Sequence, residues 1–239
     1  MSKIKLDLTY LINLFSEARL AIISFLLFLI IIVLPAQEDQ NKLFNNPVIS
    51  DETMARFLKI TEKLRENKIV RAEFKQTKSI KALKRPLISE GQFLIAQTKG
   101  LYFDTKKPFE QLTVITADYL IQKDSGGNFS QLKSDSHPLL QKSTESFLAI
   151  FSGNSMSIKE NYNIFIFEEN SEWQIGLKPK TNNENKEYIG SIIFKGGKYL
   201  NSLYMEEKLG NTTIIEFTNH RIDQNELTSE EMQKFELKK

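Results

Sequence analysis

From residue 69 onward the chain is cut into short stretches whose apolar residues recur at every second position, each bounded by Pro, Gly or a polar cluster. The stretches cover residues 69–80, 88–96, 101–105, 109–116, 119–123, 129–132, 162–168, 173–178, 189–195, 200–207, 212–219 and 234–237. A period of two is that of a strand with one face buried. Strands so close along the chain leave no room for the dozen or more residues of a parallel crossover, so they pair antiparallel. About eleven to twelve strands exceed what an open twisted sheet usually holds without curling. The fold class is therefore mainly β, a curled, barrel-like antiparallel sheet.

Two segments break this period. After Ser50 and Asp51, residues Met54, Phe57, Leu58, Thr61 and Leu64 recur at helical spacing, with Asp51 and Glu52 placed to complement the helix N-terminus. After Pro138, residues Leu139, Leu140, Ser143, Phe147, Leu148 and Phe151 line one face of a second helix that Gly153 ends. Both helices are amphipathic, so each has one face to bury. The run Ile164-Phe165-Ile166-Phe167 buries both faces of its strand, one on the interior of the sheet and one beneath a further covering element.

The N-terminus carries a different signal. An apolar run over residues 20–35 follows Lys3, Lys5 and Arg19, the positive-then-apolar order of an export segment. It is shorter than the roughly 20 residues of a comfortable membrane span. Pro35-Ala36 offers a cleavage point, so residues 1–36 read as a signal peptide or, if uncut, an N-terminal membrane anchor. Residues 37–49 form a polar linker, and residues 50–239 form one domain. The chain has no cysteine, which excludes disulfides, thiolate metal sites and acylation of a cysteine after the apolar run. Without residues 1–36 the net charge is near +1, which argues against nucleic acid as a partner.

Little points to catalysis. His137 and His220 are the two histidines, and neither sits in a nucleophile elbow or zinc spacing. Glu168-Glu169 and Glu206-Glu207 are adjacent on strands, so their carboxylates point to opposite faces and do not form an acid–base pair. Gly126-Gly127 and Gly196-Gly197 read as turns. The basic run Lys78, Lys81, Lys84 and Arg85 surrounds the first hairpin, either as a solvated turn or as a contact for anionic lipid headgroups or an acidic partner. No catalytic residue, metal ligand or cofactor is assigned.

Several local motifs occur in an order that resembles the outer-membrane lipoprotein carrier, or LolA-like, family. Phe74-Lys75-Gln76 is similar to the Phe-x-Gln of its first strand, Ser89-Glu90-Gly91-Gln92-Phe93 to its second and Gly100-Leu101-Tyr102-Phe103 to its third. Pro108 with Leu112-Thr113-Val114-Ile115 resembles the turn and fourth strand. Residues 138–153 resemble the central lid helix, residues 173–179 the strand ending in Leu-x-Pro, and residues 210–219 the late Gly-x-x-Thr-x-Ile-x-Phe strand. The likeness runs through residues 50–239 and is that of a divergent member. Gln97-Thr98 stands where typical members have Arg-Pro, whose arginine helps hold the lid, and residues 235–239 lack the Pro-Gly-Val extension.

The resemblance implies a half-open barrel with an N-terminal helix and a central lid helix over its concave face, and a cargo of lipoprotein acyl chains or another lipid. It also implies inner-membrane donor and outer-membrane acceptor proteins, a monomer, and a periplasmic location. Alternation and the family pattern together give Phe74, Phe93, Leu101, Phe103, Leu112, Val114, Ile175, Leu177 and Phe217 as the cavity lining. Met54, Phe57, Leu58, Phe147, Leu148 and Phe151 are the lid residues. A curled sheet too wide to be filled by its own side chains leaves a hollow in which each buried CH₂ of a guest contributes about 0.8 kcal/mol. A lipid- or lipoprotein-sensing interaction module with the same half-barrel is the alternative reading.

Overall fold

The computed structural model describes residues 43–45, 50–133, 148, 150, 155–181, 184–222 and 226–237. Eleven strands form one antiparallel sheet: β1 (Ile69–Ser79), β2 (Leu87–Ala96), β3 (Gly100–Lys107), β4 (Gln111–Ile115), β5 (Tyr119–Asp124), β6 (Phe129–Lys133), β7 (Tyr162–Glu169), β8 (Glu172–Pro179), β9 (Ile189–Gly196), β10 (Leu200–Glu207) and β11 (Thr212–Arg221). Their order is β6-β5-β4-β3-β2-β1-β11-β10-β9-β8-β7. Two meanders are thus joined by the long β1–β11 pair, in which Phe74 faces Phe217. The sheet is open, with β6 and β7 as its edges, in keeping with the mainly β, half-open barrel expected from the sequence.

Among the elements of the described residues are the α-helices α1 (Asp51–Arg65), α2 (Ser155–Asn161) and α3 (Ser229–Phe235). The Ser50 hydroxyl accepts from Thr53 N at 3.2 Å to cap α1, and Asp51 and Glu52 lie in its first turn as the sequence implies. At α3 the expectation fails, because residues 234–237 were assigned to a last strand and Lys234 and Phe235 are helical. Thr228 and Glu231 close a reciprocal capping box that starts the helix at Ser229, five residues before the alternating stretch begins.

One face of the sheet gathers into a single apolar cluster running from Leu120 on β5 to Ile164 on β7. Ten inter-strand steps of about 4.8 Å would spread a flat sheet over about 48 Å. A single cluster that also takes in Phe57, Ile60 and Leu64 of α1 needs the sheet to curl. The opposite, convex face carries two smaller clusters. Ile69, Leu94, Tyr102, Val114 and Ile121 are covered by Phe235 and Leu237, whereas Phe165 and Ile193 lie beneath Leu43 and Phe44. This second patch answers the both-faces-buried run of β7. Ile164 and Ile166 face the concave side, and Phe165 and Phe167 face a segment expected to be bare linker, whose Leu43 is fully buried.

Two glycines are needed where strands approach closely. A Cβ at Gly91 would run into the main chain of Asp104 on β3, at the register shift between Glu90 and Gly91. A Cβ at Gly176 would come within 2.8 Å of Phe44 Cε1 and 2.9 Å of Leu43 Cδ2, so this glycine makes the notch in which the N-terminal segment sits.

Candidate functional site

The concave face is the candidate site, and strand register settles which residues it holds. Phe93 is opposite Phe103, Phe74 opposite Phe217, and Leu177 opposite Ile164. Phe74, Phe93, Leu101, Phe103, Ile175, Leu177 and Phe217 lie together in the concave cluster. The rings of Phe74 and Phe103 meet edge to face at 5.1 Å, and Phe93 lies 5.0 Å from Phe103 and 4.7 Å from Phe217. Four phenylalanines from four adjacent strands thus form one aromatic floor.

Leu112 and Val114 were expected in that lining and are not there. Phe103 pairs with Thr113, so Thr113 and Ile115 face the hollow and Leu112 and Val114 face outward. Both pack in the convex cluster beneath Phe235. Reasoning from alternation missed Ile115, Leu120, Ile166, Phe194, Leu203 and Ile215, all in the concave cluster. The register of neighbouring strands, propagated from Phe74, would have placed them.

Of the lid residues, Phe57 is fully buried against the concave cluster, with Met54 and Leu148 partly buried on it. Leu58 is 43% exposed and points away from the sheet. Phe147 and Phe151 lie outside the described residues, as does His137. Ile60 and Leu64 complete the apolar stripe of α1, while Ile150 and Ile158 are buried in the same cluster. Among the described residues, the gap lined by Leu64, Val70, Phe93, Leu200 and Phe217 is about 20 Å³, room for little more than one water. A larger polar cleft of about 290 Å³ lies where α1 meets the β7–β8 turn, lined by Lys59, Lys63, Glu168 and Glu172.

Few polar ties hold α1 in place. Arg56 donates to Glu168 at 2.8 Å, and both side chains are well exposed, so the pair contributes on the order of 0–1 kcal/mol. At the other end, Gln97 Nε2 donates to Arg65 O at 2.6 Å and Asn67 O at 3.3 Å. Chiefly the burial of Phe57, Ile60 and Leu64 keeps the helix seated.

The concave face is not apolar throughout. Thr113 is opposite Gln122, which is opposite Ser130, and one row further along stands Thr105. The hydroxyls of Thr105, Thr113 and Ser130 and both amide atoms of Gln122 are buried with no hydrogen-bond partner among the described residues. In the neighbouring row Leu101, Ile115, Leu120 and Leu132 are all apolar. Lys78, at the same end of the sheet, is fully buried and meets Glu207 at 3.0 Å. Burial pulls its ammonium pKa down to about 8, opposed by the hydrogen bond and charge of Glu207. His220 is a structural residue: Nε2 lies 2.8 Å from Leu200 O, and the ring stacks on Tyr199 at 5.0 Å.

Residues 65–236 match the profile of the outer membrane lipoprotein carrier protein family. This chain belongs to that family. Members of this LolA family are periplasmic carriers of lipoprotein and lipid acyl chains rather than enzymes. No curated protein matches. Among solved structures, a LolA superfamily protein from Nitrosomonas europaea is 10% identical, with 74% of this chain and 95% of that one covered and a TM-score of 0.43. A putative outer membrane lipoprotein-sorting protein domain from Vibrio parahaemolyticus is 11% identical, with 74% and 96% covered and a TM-score of 0.39. Among the described residues, no helix is long and apolar enough to cross a membrane.

Proposed function

We propose that this LolA-family chain is a periplasmic carrier that takes up the acyl chains of a lipoprotein, or of a related lipid, on its concave face and carries them toward the outer membrane. The observation that supports the reading is the exchangeable occupant of that face. Three side chains of one helix, Phe57, Ile60 and Leu64, are buried in the same apolar cluster as the aromatic floor, and the polar ties of the helix among the described residues are slight. Withdrawing them forfeits about 1.5–3 kcal/mol each. An acyl chain of fifteen methylenes contributes about 12 kcal/mol by the same measure, before the cost of association. A guest chain can therefore displace the helix and take its place, and no covalent bond needs to change.

Export is supported by the apolar run of residues 20–35 after Lys3, Lys5 and Arg19. The donor and acceptor are membrane proteins on either side of the periplasm, and the carrier works as a monomer. Native mass spectrometry of the protein from its own envelope, before and after delipidation, tests the reading. The expected result is a bound acylated species that delipidation removes and that acyl probes replace. Absence of any lipid, together with no uptake of acyl probes by the delipidated protein, would overturn it.

A further inference from the structure

Eight large hydrophobic residues are exposed among the described residues, and seven of them, all but Leu58 on α1, lie at one end of the sheet. The topology fixes this. In an antiparallel meander alternate turns share a rim, and the turns β1–β2, β3–β4 and β10–β11 are consecutive along one rim because β10, β11, β1, β2, β3 and β4 are neighbours. Their tips are Leu83, Phe109 and Leu209, exposed by 48%, 79% and 78%. The opposite rim, formed by the β2–β3, β4–β5, β7–β8 and β9–β10 turns, carries no exposed large hydrophobic residue among those described.

Two turns of the apolar rim are also cationic. Lys81, Lys84 and Arg85 flank Leu83, and Lys208 precedes Leu209. The two turns are tied together where Lys81 N donates to Asn211 Oδ1 at 3.3 Å. Residues 80–88 contain no acidic residue. Lys107 beside Phe109 pairs with Glu90 at 3.1 Å, whereas Lys84, Arg85 and Lys208 meet no carboxylate among the described residues.

Apolar residues at the tips of three separate turns, interspersed with cations that meet no carboxylate among the described residues, combine hydrocarbon and positive charge along one rim. They suit a fluid surface with a negative skin and a hydrocarbon interior. We propose that this rim docks on the surface of an anionic phospholipid bilayer, with Leu83, Phe109 and Leu209 entering the acyl boundary and Lys84, Arg85 and Lys208 holding the headgroup phosphates. The buried polar row of Thr105 and Thr113 lies toward the same end, so the docked rim turns that end of the concave face to the membrane. The inference stands apart from what the concave face carries.

The absence of cysteine makes the test clean. Full-length chains carrying Phe109→Cys or Leu209→Cys, and Asp118→Cys on the opposite rim, are labelled with an environment-sensitive fluorophore. They are then mixed with vesicles of phosphatidylglycerol and phosphatidylcholine or of phosphatidylcholine alone. The expected result is a blue shift at positions 109 and 209, quenched by lipids brominated on the acyl chain, and no such response at 118. The response requires phosphatidylglycerol, weakens with salt, and falls at least about tenfold in apparent affinity when Lys84, Arg85 and Lys208 are all changed to Glu. Because the N-terminal apolar segment is common to all chains, membrane recruitment through it alone would affect all three labels alike, and that outcome overturns the proposal. So does a rim label that brominated lipids do not quench, which would make the rim a contact for protein. Circular dichroism of each labelled chain confirms that the fold is kept.

Discussion

The side-chain amide of Gln97, at the end of β2, donates to the main-chain carbonyl of Arg65, the last residue of α1, at 2.6 Å. That carbonyl is one of the last four of the helix, which have no partner within it. Gln97 thus ties the end of the helix through a neutral amide. The C-terminal end of α1 is therefore tied to the turn after β2 through its backbone.

Replacing Gln97 by Ala removes that tie without touching the apolar stripe of α1. A hydrogen bond of this kind contributes about 1 kcal/mol, or roughly fivefold in a local opening equilibrium. Hydrogen exchange in the last turn of α1 should speed up by about that factor, with β1 and β2 unchanged, and acyl probes should enter faster. Unaltered exchange over residues 61–66 would show that Gln97 does not latch the helix.

Thr113 is fully buried on the concave face, its hydroxyl lacking a partner among the described residues. A buried polar group without a hydrogen bond costs about 1–3 kcal/mol, and Val has nearly the same shape. Thr113→Val should therefore raise the melting temperature of the delipidated protein by several degrees. A fall would mean that the hydroxyl is satisfied in solution, for instance by a buried water.

Most of the strands were legible because one buried face imprints a period of two, and that period survives wherever the other face meets solvent. It fails where both faces are covered. In Gln111-Leu112-Thr113-Val114-Ile115 both sets of alternate residues are plausible linings, and the apolar pair Leu112 and Val114 looks like the inner one. It is the outer one because α3 covers the convex face there, and α3 was invisible because Lys234-Phe235-Glu236-Leu237 alternates like a strand. The capping box at Thr228 and Glu231 was in the sequence and outranks that alternation. One unrecognised helix thus accounts for two misplaced lining residues. The seat of α1 was not legible either: the stripe of Phe57, Ile60 and Leu64 shows that the helix buries a face, but not how deep it sits.

Helix α3 is held by charge as well as by Phe235. Arg71, buried on the convex side of β1, donates to both oxygens of Glu231 at 2.6 and 2.7 Å and to Glu226 O at 2.9 Å. Lys234 reaches Asp104 on β3 at 2.9 Å. The Arg71 guanidinium holds the Glu231 carboxyl below its usual value, against the opposing effect of burial. Burial pushes Asp104 up, but Lys234 and Lys106 outweigh it and hold it low. Both groups thus add stability above the ordinary carboxylate pKa, and that stability is lost as pH falls through their depressed folded values. Glu231→Gln takes an ionised, doubly hydrogen-bonded carboxylate away from the buried Arg71 and should cost about 2–4 kcal/mol in urea denaturation at neutral pH, with a shallower loss in acid than the parent. Equal midpoints for the two proteins would show that α3 is held by its apolar contacts alone.

On the alkaline side two buried groups act with opposite sign. Lys78 titrates at about 8 in the folded protein against 10.5 when free, so between those values the unfolded chain binds more protons and stability rises with pH. Burial raises the Tyr102 hydroxyl to about 12 from 10, so above pH 10 the unfolded chain releases its proton first and stability falls. The melting temperature should therefore climb from pH 8 to about 10 and then decline. Lys78→Met removes the climb and keeps the decline, whereas Tyr102→Phe keeps the climb and softens the decline. A flat profile in the parent from pH 8 to 10 would mean that Lys78 is solvated in solution, and that this end of the concave face is open to water rather than sealed.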